Sequence, residues 1–171
     1  MADRKGAVTI KGNPVTLTGN EVKVGQVAPD VTLVANDLSP VNLSSFKGKK
    51  TVVLSMHSLD TGVCDTETRK FNEEATKLGP DVRVVAVTMD LPFAQKRWCG
   101  AAGVKNVQTL SDYKDASFGN SFGVLIKEFK LLARAVFVID SQGKVQYSQI
   151  VKETASEPDY AAVLNAVKKI N

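Results

Sequence analysis

Cysteine, histidine and tryptophan are nearly missing from this sequence. Its 171 residues include two cysteines, Cys64 and Cys99, one histidine, His57, and one tryptophan, Trp98. Two cysteines cannot build a disulfide-rich scaffold. With a single histidine they cannot close a four-ligand zinc site unless a carboxylate joins them. Long apolar runs are also lacking: the strongest, Ala135–Ile139, falls far short of the ~18 residues of a membrane span. The opening Met1–Gly6 has no apolar stretch of the secretory kind, so a cytoplasmic protein is expected. An excess of one charge is absent too. The 22 basic and 18 acidic residues are spread along the chain and leave a net charge of +4, too weak and too even for a nucleic-acid or membrane footprint. What remains is ordinary globular usage, 43% hydrophobic and 23% charged, which excludes disorder, collagen and coiled coil. The length predicts one domain spanning residues 1–171, large enough to bury roughly 70% of its unfolded surface without staples. The open question is what two thiols do in such a chain.

No repeat, low-complexity tract or linker divides the sequence. An N-terminal β-hairpin extension is expected over about residues 7–24. Ala7–Lys11 and Val15–Thr18 alternate in polarity around Gly12-Asn13-Pro14, and Gly19-Asn20 reads as a turn into Glu21–Val24. Further on, Thr51–Met56 and Val82–Met89 are short, β-branched segments of the kind that fill a buried central sheet. Between them, residues 62–78 carry a helical stripe at Phe71, Ala75 and Leu78, ended by Gly79-Pro80. Pro92 opens a second helix, where its missing N–H costs nothing. Val107–Leu110 predicts a strand, Asp115–Phe122 a short helix, and Ala135–Asp140 with Lys144–Val151 a strand pair. A last helix follows Glu157-Pro158, with Tyr160, Leu164 and Val167 on one face. The order β-α-β-α-β followed by β-β-α predicts an α/β protein, a mixed central sheet flanked by helices, as in the thioredoxin-like fold.

The segment Ser58–Cys64 joins the first central strand to the first helix. Asp60 or Thr61 is the expected N-cap. Cys64 then sits in the first helical turn, where unpaired N–H groups and the positive end of the helix dipole favour a thiolate, the reactive form. Thr61, three residues earlier, can turn its hydroxyl toward the sulfur or a bound oxygen. Asp65 and Glu67 oppose a thiolate, so a nearby cation is needed. Arg134 is the candidate, standing among apolar residues in Leu131–Ile139, where a guanidinium is costly to bury unless an anion pairs with it. That anion is either a thiolate with its substrate or a structural carboxylate; alternatively the side chain reaches out to solvent. Cys99 lies toward the end of the second helix. Taken alone, either cysteine reads as a small buried hydrophobe. A disulfide between them would constrain the unfolded chain by about 4 kcal/mol, and in a reducing compartment it is a catalytic or sensing bond rather than a structural one.

Several of these segments together resemble one family. Asp60-Thr61-Gly62-Val63-Cys64, the run Asp90–Gln95 followed by Trp98-Cys99, and Leu131–Val136 are similar to the motifs of the bacterial thiol peroxidases, the atypical two-cysteine peroxiredoxins of the thioredoxin-like superfamily. Gly12–Thr16 and Glu157–Tyr160 fit as well, so the resemblance runs from about residue 7 to the C-terminus. It implies a thiol-specific peroxidase that reduces hydrogen peroxide and organic hydroperoxides to water and alcohols in antioxidant defence. Cys64 is then the peroxidatic cysteine, Thr61 and Arg134 hold the peroxide, and Cys99 resolves the Cys64 sulfenic acid into an intramolecular disulfide. It further implies thioredoxin as reductant, a cytoplasmic homodimer, and no metal or organic cofactor. Phe93 is expected at an apolar pocket mouth.

One position departs from the pattern. Where the family carries proline, seven residues before the peroxidatic cysteine, this chain has His57. Histidine restores a backbone N–H and adds a titratable ring, so the expectation is an altered peroxide pocket, a pH-dependent thiolate, or simply a tolerated change. The competing classes are a cysteine hydrolase using a Cys64–His57 pair, which leaves Cys99 without a role, and a non-catalytic thioredoxin-like module with inert thiols.

Overall fold

Side chains pointing alternately into two cores along three valine-rich strands organise the molecule. In Lys50–Ser55 (β5), Val82–Thr88 (β6) and Ala135–Ile139 (β10), one set of side chains (Val52, Leu54, Val84, Ala86, Val136, Val138) packs against helices. The intervening set (Val53, Val85, Val87, Phe137) fills a second core on the opposite face. Strands buried on both faces read as continuous apolar runs, which is why they stand out in the sequence. The computed structural model describes all 171 residues.

These strands belong to a seven-stranded mixed sheet in the order β11-β10-β5-β6-β7-β3-β4. Its other members are Thr32–Val34 (β3), Pro40–Asn42 (β4), Val107–Ser111 (β7) and Val145–Ile150 (β11). β5, β6 and β7 run parallel, and β10 returns antiparallel to β5. One face carries Gly62–Leu78 (α1), Pro92–Ala102 (α2) and Tyr160–Lys169 (α4). The other face carries the short helix Ser117–Ser121 (α3) and a four-stranded antiparallel sheet. That smaller sheet is β1-β2-β8-β9, built from Asp3–Ile10, Asn13–Thr18, Leu125–Ile126 and Leu131–Leu132. The expected mixed sheet flanked by helices is therefore present.

Four local expectations differ. The N-terminal hairpin is β1–β2, turning at Lys11-Gly12, and Glu21–Val24 is not a strand. Gly19 (φ +87°) and Gly123 (φ +68°) explain the difference: Cβ atoms there would meet the Asn120 oxygen at 2.2 Å and the Asn20 oxygen at 2.4 Å. The Gly19-Asn20 pair thus serves close backbone packing across the molecule rather than a hairpin turn. β8 and β9 were not expected, because two-residue strands leave no periodic trace. The short helix is confined to Ser117–Ser121. In α4 the buried positions are Val163 and Val167, with Leu164 only half-buried. Asp159, accepting from the Ala162 N–H at 3.0 Å, sets the start of that helix.

Candidate active site

Strand register brings the singled-out residues together. Ala135 pairs with Ser55 across β10 and β5, so Arg134, just before β10, lies beside the chain leaving β5 toward His57 and Cys64. Ser55 reinforces this by donating to the Ala133 carbonyl at 2.8 Å. Thr61 is the N-cap of α1, in extended conformation, and Cys64 occupies the first turn as expected. The Thr61 side chain, however, caps no helical N–H; its hydroxyl donates to the Ser58 carbonyl at 3.0 Å. No hydrogen bond joins it to the sulfur, and its oxygen lone pairs are left free to accept.

Cys64 is fully buried, and Arg134 is only 1% exposed. The Arg134 guanidinium donates from each of its nitrogens: Nη2 to Cys64 Sγ at 3.3 Å, Nε to the Thr154 carbonyl at 2.9 Å, and Nη1 to the Glu67 carboxyl. Glu67 stands three residues after Cys64 on the same face of α1 and is also fully buried. Burial pushes its carboxyl up to about 8, with Arg134 pulling the other way. One guanidinium thus faces two groups able to carry negative charge, and the less of it the carboxyl takes, the more is left for the sulfur. Asp65, the other acid near Cys64, is turned aside. Its two oxygens accept from Trp98 Nε1 at 3.0 Å and from Arg69 Nε at 2.9 Å.

His57 lines the cavity beside Cys64 together with Thr61 and Arg134. Burial first, and the nearby Arg134 charge second, hold its pKa down to about 4, so the ring is neutral from pH 5 to 8. The expected physiological pH switch is therefore not available to it. Its Nε2 is buried without a hydrogen-bond partner, and no bond joins the ring to Cys64, so the hydrolase pair lacks its defining contact. The cavity, about 360 Å³, takes apolar walls from Ile10, Val63, Phe129 and Leu131. Phe93 is not among them: at 63% exposure it points to solvent from the start of α2.

Both cysteines are free thiols. Cys99 is half-buried on α2, 3.6 Å from the Thr109 hydroxyl, and burial raises its pKa. It lines a separate cavity with Asn36, Val107 and Thr109, away from the one that His57, Thr61 and Arg134 share. A residue that opens one of the family-like motifs, but to which the sequence assigned no role, links the elements of the two thiols. Asp90, after β6, accepts from Ser58 Oγ at 2.6 Å and the Leu59 N–H at 2.8 Å, which fixes the loop before Cys64. It also accepts from Thr88 Oγ1, which in turn accepts from Gln95 of α2. Its place in that motif, just after a predicted strand, was the only signal of this.

Comparison with known proteins agrees with the geometry. The Redoxin family pattern matches residues 23–164. Thiol peroxidases from Bacillus subtilis and Halalkalibacterium halodurans are each 55% identical, covering 95% of this chain and 97% of theirs. Among solved structures, a peroxiredoxin-like protein from Aquifex aeolicus superposes with a TM-score of 0.90 at 46% identity, covering 96% of both chains. A thiol peroxidase from Chromobacterium violaceum shares the fold with a TM-score of 0.85 at 20% identity, over 95% of both chains. With a pattern over most of its length and relatives this similar end to end, the chain belongs to the redoxin family, among its thiol-dependent peroxidases.

Proposed function

We propose that Cys64 is the peroxidatic residue of this thiol-dependent peroxidase, with Thr61 and Arg134 holding the hydroperoxide and Cys99 resolving the product. The observation that carries the assignment is the Arg134 Nη2 contact on the buried Cys64 sulfur at 3.3 Å. A cation held by a carboxyl and a carbonyl is kept directed at the sulfur, where it can meet the negative charge of the attacking group. The Thr61 hydroxyl, its proton committed to the Ser58 carbonyl, accepts the O–H of an incoming hydroperoxide. The thiolate attacks the O–O bond; a sulfur–oxygen bond forms as the O–O bond breaks. Cys64 becomes a sulfenic acid, and the departing oxygen, once protonated, leaves as water or an alcohol. The Cys99 thiol gives up its proton and its sulfur displaces hydroxide from the Cys64 sulfur; the hydroxide takes up a proton, giving the Cys64–Cys99 disulfide and water. Thioredoxin restores both thiols by exchange.

Because Cys64 is sealed and Cys99 faces another cavity, the first turn of α1, part of α2 or both must unwind to bring the Cα atoms within about 7 Å. The working unit is a cytoplasmic homodimer; Leu91 and Phe93, 51% and 63% exposed at the start of α2, support a surface for the second copy. Mass spectrometry after one equivalent of peroxide tests the route. A Cys64–Cys99 bond within one chain is expected; an interchain bond overturns intramolecular resolution. Cys64→Ser should abolish thioredoxin-linked turnover. Cys99→Ser should keep a single reduction event and lose multiple turnover.

A further inference from the structure

The attack just described puts negative charge on the departing oxygen, and that charge needs hydrogen-bond donors in place beforehand. Among the side chains around the 360 Å³ cavity most donors are already committed, while the Gly62 and Val63 amides at the start of α1 are unpaired on one wall. The Thr61 proton goes to the Ser58 carbonyl and the Thr154 proton to the Thr9 carbonyl. Arg134 spends one N–H of each nitrogen on Thr154, Glu67 and the sulfur. Lys11 stands exposed at the rim, in the left-handed turn of the hairpin (φ 50°). His57 is different. Its Nε2 is closed off from water, as the Cys64 sulfur is, yet no protein group bonds it. A buried polar atom left unpaired is costly, and such an atom on a ring that lines the cavity with Thr61 and Arg134 marks a place for a ligand atom.

We propose that His57 is a substrate-contacting residue whose Nε2–H donates a hydrogen bond to the departing oxygen of the hydroperoxide. The inference rests on the reading of Cys64 as the attacking thiolate. The ring acts as a neutral donor and not as an acid, because burial and Arg134 keep a second proton off it. As the sulfur–oxygen bond forms and the O–O bond breaks, the attacked oxygen keeps its hydrogen and stays on Cys64. The departing oxygen leaves as an alkoxide or hydroxide bonded to His57 Nε2–H and takes its proton from water. Arg134 and His57 thereby divide the work: one holds charge at the sulfur, the other meets charge where it appears.

Two variants, His57→Leu and His57→Gln, separate this role from a packing role. The rate of Cys64 oxidation is measured with a series of hydroperoxides whose leaving alcohols differ in acidity, alongside alkylation of Cys64 by iodoacetamide, which needs no oxygen donor. His57→Leu should slow peroxide reduction about 10- to 100-fold and steepen its dependence on leaving-alcohol acidity, with alkylation unchanged. His57→Gln, which keeps an N–H in reach, should recover most of the rate and the shallower slope. A parental rate and slope in His57→Leu overturns the proposal, as does a loss mirrored by alkylation with the slope unchanged. Cys64→Ser serves as the separate control: its inactivity secures the underlying reading, so the His57 results then bear on the donor role alone.

Discussion

At the residue scale, two buried ionisable side chains near Cys64 pull stability in opposite directions with pH. His57 has a folded pKa of about 4 against an ordinary 6.5. Its contribution is complete above pH 6.5 and is lost as pH falls through 4, by an amount on the order of 3 kcal/mol. Glu67 is held up to about 8, so its contribution is complete below its ordinary 4.5 and is lost as pH rises through 8. Urea unfolding from pH 6.5 down to 4 should therefore show a steeper loss for this chain than for His57→Leu. Equal slopes would mean that the imidazole is as solvated in the folded state as in the unfolded one. Such states are not written in a sequence. Arg134 was legible because a guanidinium in an apolar strand demands an anion. That Glu67 provides one, that the Thr61 proton turns to Ser58, and that His57 stays neutral follow from burial and register, which only the assembled sheet decides.

At the scale of elements, the helices that carry the two thiols are fastened to each other beside the thiols themselves. Asp65 follows Cys64, Trp98 precedes Cys99, and the indole N–H donates to the carboxylate at 3.0 Å. Arg69 completes the clasp. It bonds Asp65, donates to the Ala102 carbonyl at 3.2 Å, and lies 5.7 Å over the indole ring. Any approach of Cys99 to Cys64 must strain or open this clasp. Trp98→Phe keeps the apolar packing but removes the N–H. It should cost about 1 kcal/mol of stability and speed closure of the disulfide after one equivalent of peroxide, followed by quenched-flow mass spectrometry. Unchanged closure would place the clasp outside the segments that move. The long elements involved were legible, α1 from its apolar stripe, α2 from Pro92 at its start and the central strands from their β-branched apolar runs. The clasp was not, because residues 65 and 98 meet only through the packing of α1 beside α2.

At the scale of the whole molecule, the N-terminal hairpin walls the cavity that His57, Thr61 and Arg134 line, from outside the central sheet, and one carboxylate couples the two. Ile10 and Lys11 of the hairpin line the cavity. The Thr9 N–H donates to the Lys152 carbonyl at 2.7 Å, and the Thr154 N–H returns to the Thr9 carbonyl at 2.9 Å. Glu153, between those two partners, accepts from Thr9 Oγ1, the Lys11 N–H and the Gly12 N–H at 2.8, 3.0 and 2.9 Å. The Gly12 amide first, then the Ala155 amide and the Thr9 hydroxyl, hold its pKa down to about 2. That contribution is complete above pH 4.5 and is lost only as pH falls through 2, so the coupling is constant where the enzyme works. The next residue, Thr154, offers its carbonyl to Arg134 Nε. The hairpin, the Glu153 turn and the guanidinium at the sulfur are therefore one connected path. Glu153→Ala should speed hydrogen exchange at the Lys11 and Gly12 amides, leave the β5 and β6 amides protected, and lower the rate of Cys64 oxidation several-fold, the loss expected when a positioning contact loosens around a reacting pair. If the hairpin amides exchange faster while the peroxide rate holds, Arg134 keeps its aim without the hairpin. If neither changes, the remaining strand-like bonds at Thr9 are enough to hold the wall in place.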